Sequence, residues 1–279
     1  MNINKQRKLM IAKFLQKKRR VAVWIVVLVA AVTALIPASV PSAVLAPDAQ
    51  SFAELYEAGV DISTLEDKSA NITEKLLVHD KDSDEKVAYL TFDDGPTAMT
   101  ERVLDTLSEY GVKATFFVLG ETASYHPEIL KRVYEEGHSI GNHTYSHDYD
   151  VVYGTREQFE NELIKWEETV GEIIGKENVQ KLLRFPGGSK DDWKYIYRMI
   201  AGEMGYKFVD WNALNGDADG QPFSHERCME EIYYWCGDTG DVIILMHDSA
   251  KKVITADMLP EIIEFLMDEG YTFDKIEVN

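Results

Sequence analysis

Only two of the 279 residues are cysteine, Cys228 and Cys236, so no disulfide scaffold holds this chain. On one continuous helix the two would stand ~12 Å apart along the axis, beyond a disulfide's reach, and they read as buried free thiols. Basic charge is also scarce past the N-terminus. Residues 1–20 hold eight of the 29 Lys/Arg and no Asp or Glu, which leaves 21 basic against 48 acidic residues, a net of −27. A body that acidic repels phosphate backbones, so nucleic acid is excluded as a partner. Disorder is excluded too, because 45% of the residues are hydrophobic and 11% aromatic.

One long hydrophobic run exists, Val21–Ile36, directly after Lys17-Lys18-Arg19-Arg20. Basic residues on one side only orient such a run with its tail inside the cell and the acidic body outside. The run is slightly long for a signal-peptide core and slightly short for a spanning helix; snorkelling Lys/Arg and the mildly apolar segment after Ile36 make up the difference. The best cleavage site, Val44-Leu45-Ala46, is followed by Pro47, which favours an uncleaved signal anchor over a cleaved signal peptide. The expected organisation is a cytoplasmic tail (1–20), a transmembrane anchor (21–40), an extracellular stem (41–84) and a catalytic domain (85–279).

From Val87 onward, β-rich runs alternate with helical patterns. Seven strands are expected, at Val87–Phe92, Ala114–Leu119, Ser139–Asn142, Leu182–Phe185, Lys207–Trp211, Val242–Met246 and Thr272–Ile276. Thr100 can cap a helix stopped by Gly111, and Thr155 with Gln158 forms a capping box ahead of Phe159, Leu163, Trp166, Val170 and Ile174. A further helix puts Ile262, Ile263 and Leu266 on its apolar face and stops at Gly270. Seven β/α repeats imply an α/β fold, a parallel sheet closed or nearly closed into a distorted (β/α) barrel. In such barrels the chemistry sits just past the strand C-termini. The unusual polar residues fall there: Asp93-Asp94, His143 and His147, Arg184, Asp210 and Asp217, and His247-Asp248.

His143 and His147 are four residues apart, so on a helical turn they share one face and can grip one metal ion. A carboxylate as third ligand would leave a fourth position open for water. No Glu follows His143 as a zincin would require, so the base must come from elsewhere. Asp93-Asp94 can supply both needs: Gly95-Pro96 breaks the strand and lets both carboxylates project past its end. One would bind the ion and the other would take a proton from its water. Of the other histidines, His79 and His225 read as solvated, His126 opens a helix with Pro127, and His138 precedes a strand. Tyr145 and Ser146 read as packing groups, and Asp248 as a support for the loop after its strand.

With these residues in place, Val87–Asn279 resembles the NodB-type polysaccharide deacetylases, carbohydrate esterase family 4. Thr91–Pro96 (TFDDGP) and His143–His147 (HTYSH) carry the first two motifs. Arg184–Gly188 (RFPGG), Asp217 and Leu245-Met246-His247 are similar to the remaining three. The resemblance implies that Asp94, His143 and His147 bind the metal, zinc first with cobalt or nickel able to substitute, and that Asp93 is the general base. It implies that His247 is the general acid, that Arg184 holds Asp93, and that Asp217 tunes His247, with Asp210 as the alternative. Leu245 and Trp211 would line the acetyl pocket, and the Phe185-Pro186-Gly187 segment would contact substrate through a backbone N–H. Two departures bear on the sugar groove. Gly187 stands where the family often has an aromatic residue, and Ala218 where it often has Trp. The implied activity is metal-dependent N-deacetylation of a GlcNAc-containing polysaccharide, peptidoglycan first, by a monomer held at the membrane. Chitin-like polymers, O-acetyl ester cleavage and a silent carbohydrate-binding role are the rivals.

Overall fold

The computed structural model describes residues 71–77, 86–220, 222–237 and 240–278. The expected tail and anchor, and all of the stem before Asn71, lie outside the described residues. Among the described residues no helix is long and apolar enough to cross a membrane.

Eight strands are present among the described residues: β1 (Lys86–Asp93), β2 (Thr115–Val118), β3 (Ser139–Asn142), β4 (Leu182–Leu183), β5 (Lys207–Phe208), β6 (Ala213–Leu214), β7 (Val242–His247) and β8 (Tyr271–Asp274). All pair in parallel, in the order β5-β4-β3-β2-β1-β7-β6, and β8 pairs the first half of β1. The run expected at Lys207–Trp211 ends at Phe208, and β6 follows it as a strand that the β-rich pattern did not signal. The two outermost strands of the path, β5 and β6, are joined by residues 209–212 alone. That link reaches at most ~18 Å, at ~3.6 Å per residue. A flat sheet of seven strands spaced ~4.8 Å apart would separate them by ~29 Å. The sheet must therefore curl, and the short connection draws it into the distorted barrel that the alternating pattern implies.

The helices are α1 (Thr73–Leu76), α2 (Ala98–Tyr110), α3 (Gly120–Tyr125), α4 (Pro127–Glu135), α5 (Tyr149–Val152), α6 (Arg156–Ile174), α7 (Tyr195–Glu203), α8 (His225–Cys236) and α9 (Val253–Asp268). Helix α2 begins one turn earlier than its sequence suggests. Thr97 is the N-cap and Thr100 the third residue of a reciprocal capping box, while Gly111 closes the helix at φ 67°. The Thr155–Gln158 box on α6 forms as expected. Cys228 and Cys236 both lie on α8, buried and unpaired, with burial pushing each thiol up to about 12.

Strand alternation sorts the core. Ala88, Leu90 and Phe92 of β1, Phe116 and Val118 of β2, and Val242, Ile244 and Met246 of β7 face the helices. Phe117 and Ile243 face inward, with Leu182, Val209 and Ile276. The same period of two turns Asp93 and His247 inward. Ile72, Leu76 and Leu77, from the stretch read as stem, pack against this inner cluster, and Thr73 Oγ1 accepts the Asp210 N–H at 2.8 Å.

His138 sits under the sheet as a neutral ring. Its Nδ1 accepts the Ala114 N–H at 3.1 Å and its edge meets Phe116. Burial, then the charges of Lys113, Lys275 and Arg132, push its pKa down to about 4. The unfolded chain binds this proton near 6.5, so stability is lost as pH falls from about 6.5 towards 4, at up to ~1.4 kcal/mol per pH unit. Urea denaturation at pH 7 and pH 5 checks this: His138→Gln is expected to flatten that part of the pH dependence.

Candidate active site

The β1–β7 register sets Asp93 opposite His247, the last residues of their strands. Two inward side chains are thereby brought side by side at the C-terminal mouth of the barrel. A cavity of about 450 Å³ opens there, lined by Asp93, Asp94, His143, His147, Gly187, Trp211, Asp217, Ala218, Leu245 and His247 among others.

Asp94, His143 and His147 each offer a ligand atom within 4.8 Å of the others. Asp94 Oδ1 lies 3.6 Å from His143 Nε2 and 3.7 Å from His147 Nε2. Ligands of one tetrahedral ion bound at ~2.0–2.1 Å would stand about 3.4 Å apart. Asp94 Oδ1 is buried and has no hydrogen-bond partner. His143 Nδ1 lies 2.8 Å from the Arg184 carbonyl, which can only accept; Nδ1 therefore carries the proton and Nε2 presents a lone pair. An orphaned carboxylate oxygen facing two imidazole nitrogens is a donor set that can hold a divalent cation, and one carboxylate with two imidazoles suits zinc.

The loops that carry these three side chains are strained. Asp94, Thr144 and His147 are the non-glycine residues with positive φ among the described residues, at 76°, 71° and 58°. Such conformations cost about 1–3 kcal/mol each and persist only when their surroundings hold them. Glu162 supplies much of that hold. Its Oε2 accepts from the N–H groups of Tyr145 and Ser146 at 3.0 and 2.7 Å and from Ser146 Oγ at 3.0 Å. Glu162 lies on the buried face of α6 between Phe159 and Leu163, so a carboxylate interrupting an apolar helical stripe was the signal available for it.

Arg184 is fully buried. Its Nη1 donates to Asp93 Oδ1 at 3.1 Å and to Thr91 Oγ1 at 2.6 Å. Across the cavity, His247 Nδ1 and Asp217 Oδ1 are 2.7 Å apart; the other Asp217 oxygen accepts from the His247 N–H and from Thr255 Oγ1. Burial alone would lower the His247 pKa, but the bond and charge of Asp217, followed by Asp93 and Asp94, raise it overall. Both oxygens of Asp210 are taken by Ser189, so Asp217 is the carboxylate in contact with His247. Asp248 supports the loop, as its sequence position suggests. Its carboxylate accepts from Thr100 Oγ1 and its carbonyl from Thr97 Oγ1, and a Cβ on Gly95 would stand 2.4 Å from its Oδ2.

Gly187, Trp211 and Leu245 line the cavity; Phe185 and Pro186 do not. The Phe185 ring stacks on Phe159 in the second core cluster, because the residue after inward-facing Arg184 turns outward. The Pro186 carbonyl accepts from Lys194 Nζ at 2.9 Å and Tyr153 Oη at 2.7 Å. Side-chain contact with substrate is therefore not available from Phe185. Tyr149 and Lys252 also line the cavity, and nothing in their sequence context marked them.

Glu162→Ala would leave the 145–146 donors unpaired, so unfolding stability is expected to drop by about 1–3 kcal/mol. Zinc titrated into the same variant by calorimetry is expected to bind about 10- to 100-fold more weakly than to the parent protein. Unchanged zinc affinity would show that the loop needs no such support.

The sequence profile of the polysaccharide deacetylase family matches residues 80–209. A peptidoglycan-N-acetylglucosamine deacetylase of Bacillus cereus is 34% identical over 192 residues, 68% of this chain and 68% of its own length. The enzyme of the same description from Listeria monocytogenes is 32% identical over 189 residues; there the match covers 67% of this chain but 37% of the relative. Among solved structures, the catalytic domain of a peptidoglycan N-acetylglucosamine deacetylase from Eubacterium rectale superposes with a TM-score of 0.61 at 30% identity, covering 69% of this chain and 89% of that one. A CE4 esterase of Streptococcus mutans gives 0.63 at 30% identity, covering 70% and 87%. Likeness of this extent shows that the chain belongs to the polysaccharide deacetylase family, hydrolases that act on amide bonds.

Proposed function

We propose that this protein removes N-acetyl groups from peptidoglycan N-acetylglucosamine, with Asp94, His143 and His147 holding a divalent cation, Asp93 as general base and His247 as general acid. The observation that carries this reading is the meeting of the three ligand atoms within 4.8 Å beside a cavity that Asp93 and His247 share.

When bound, the ion supplies Lewis acidity, which brings the pKa of a coordinated water from ~15.7 towards ~7. Asp93 is placed to receive the proton. Arg184 engages its Oδ1, and Oδ2 lies on the cavity side, 3.8 Å from His143 Nε2. Leu245 and Trp211 form an apolar wall suited to the acetyl methyl group, and a backbone N–H near Gly187 is suited to the developing oxyanion. Asp217 holds His247 through Nδ1, so Nε2 is left to protonate the departing amine. Deacetylation converts a neutral amide into an amine that is cationic near neutral pH, which changes the charge of the polymer.

Relatives named for peptidoglycan support the substrate, including a peptidoglycan-N-acetylmuramic acid deacetylase of Bacillus subtilis, 32% identical over 201 residues. The basic residues 1–20 and the uncharged run Val21–Ile36 support an anchored protein whose catalytic domain, residues 85–279, works outside the membrane on the end of a stem.

Incubation of the full chain with purified peptidoglycan is expected to release acetate and expose free amine. Chelator is expected to abolish the release and zinc to restore it; Asp93→Asn is expected to lower kcat by about 10²- to 10⁴-fold. Acetate release that withstands chelator would remove the metal from the mechanism. Asp217→Asn gives a separate test. The raised His247 pKa keeps the acid protonated to higher pH, so loss of the carboxylate is expected to move the alkaline limb of the kcat/KM profile to lower pH.

A further inference from the structure

We propose that Tyr149 and Trp193, with Tyr153 between them, form a stacking subsite for a sugar unit neighbouring the one being deacetylated. The proposal rests on the glycan-deacetylase reading above and adds to it where the chain is gripped.

Gly187 leaves the cavity wall without a side chain, and the space is already filled. A Cβ at Gly187 would stand 2.5 Å from the Tyr149 hydroxyl oxygen. The wall that the third motif lacks is therefore supplied from α5, a different segment of the chain. The Tyr149 ring lies 5.7 Å from the His147 ring and 5.4 Å from that of Tyr153, and Tyr153 meets Trp193 edge-on at 5.0 Å. A run of aromatic rings thus leads from the metal-ligand loop to the surface.

Its two outer members are open to solvent, Tyr149 45% and Trp193 49% exposed. Tyr149 is the one exposed large hydrophobic among the described residues that also lines the cavity. Solvent-exposed aromatic surface continuous with a polar cleft marks a binding surface. The platform is also fixed from behind. Tyr153 Oη donates to the Pro186 carbonyl, and Tyr197 Oη donates to the Tyr153 carbonyl at 2.6 Å. Lys194, itself buried, holds the carbonyls of Pro186 and Gly188, and its Nζ lies 5.0 Å from the Tyr153 ring centroid and 5.1 Å from that of Trp193. Rings already held in place lose little freedom when a ligand arrives.

The chemistry of the occupant follows from the surface. A pyranose ring offers a C–H face to an aromatic ring and keeps its hydroxyls in water. The net charge of −27 past residue 20 disfavours a polyanionic chain, so a neutral, N-acetylated hexosamine glycan fits best.

The test compares the full chain with Trp193→Ala, Trp193→Leu and Trp193→Phe. For each, kcat/KM is measured on chitotetraose and on the smallest substrate accepted, and chitotetraose affinity is measured by calorimetry. The preference for the longer chain, taken as a ratio, is expected to fall about 5- to 10-fold in Trp193→Ala and Trp193→Leu, and to return in Trp193→Phe, which restores a ring face. An unchanged ratio in Trp193→Ala overturns the subsite. So does a loss that Leu repairs as well as Phe, since bulk alone would then explain it. If the parent protein releases no acetate from any glycan, the deacetylase reading fails. The calorimetric arm still decides the subsite: weaker binding by Trp193→Ala supports it, and equal binding or none by the parent overturns it.

Discussion

The ion pair between Arg184 and Asp93 is the constraint on which the site depends. Both groups are buried, and the guanidinium also reaches Thr91 and the carbonyls of Val209 and Asp210, so it ties together the ends of β1, β4 and β5. The Arg184 carbonyl meanwhile holds His143 by its Nδ1. One residue thus positions a carboxylate through its side chain and an imidazole through its backbone. A buried charge stripped of its partner costs about 3–5 kcal/mol, which leaves the pair little freedom to rearrange. The cavity inherits that rigidity.

Around this hub the chain accepts local strain in return for direction. Among the described residues, three that are not glycine adopt left-handed backbone, and each lies in the loops carrying Asp94, His143 and His147. A regular strand would send adjacent side chains to opposite faces. Leaving β-geometry after Asp93 and after Asn142 lets consecutive polar residues converge on one point. Asp248, Glu162 and Asn142, which accepts the Thr144 N–H at 2.7 Å, hold these turns from below. None of the three lines the cavity, yet the geometry of Asp94, His143 and His147 rests on them.

Much of the arrangement was legible in the residues. The first two motifs are compact, and each places its polar groups within a few residues of a strand end, where only local chain geometry is needed to bring them together. Helix α6 was readable because its capping box and its apolar spacing agree. The end of β5 and the existence of β6 were less so. Each strand is two residues long and is held by pairing with a strand elsewhere in the chain, β4 or β7, and no local pattern announces that pairing. The Phe185 ring was harder to place for a related reason, although the contact expected of its segment runs through a backbone N–H and not through the ring. Adjacency to Arg184 in a motif suggested the groove, while alternation put the ring in the core.

The residues alone show the chemical inventory: Asp93 with Asp94, His143 with His147, and His247 at strand ends, an acidic body, and a run of basic residues before an apolar one. Residue type and short spacing are local properties, and they suffice for that. Folding settles which carboxylate meets His247, since Asp210 and Asp217 stand seven positions apart in one segment and Ser189 captures the former. It also decided what replaces the side chain absent at Gly187. That space is filled by Tyr149, 38 residues earlier in the chain, because β3 and β4 pair side by side in parallel and so bring the loops after them together. Contacts between distant segments depend on how the whole chain closes, and no stretch of residues carries that information alone.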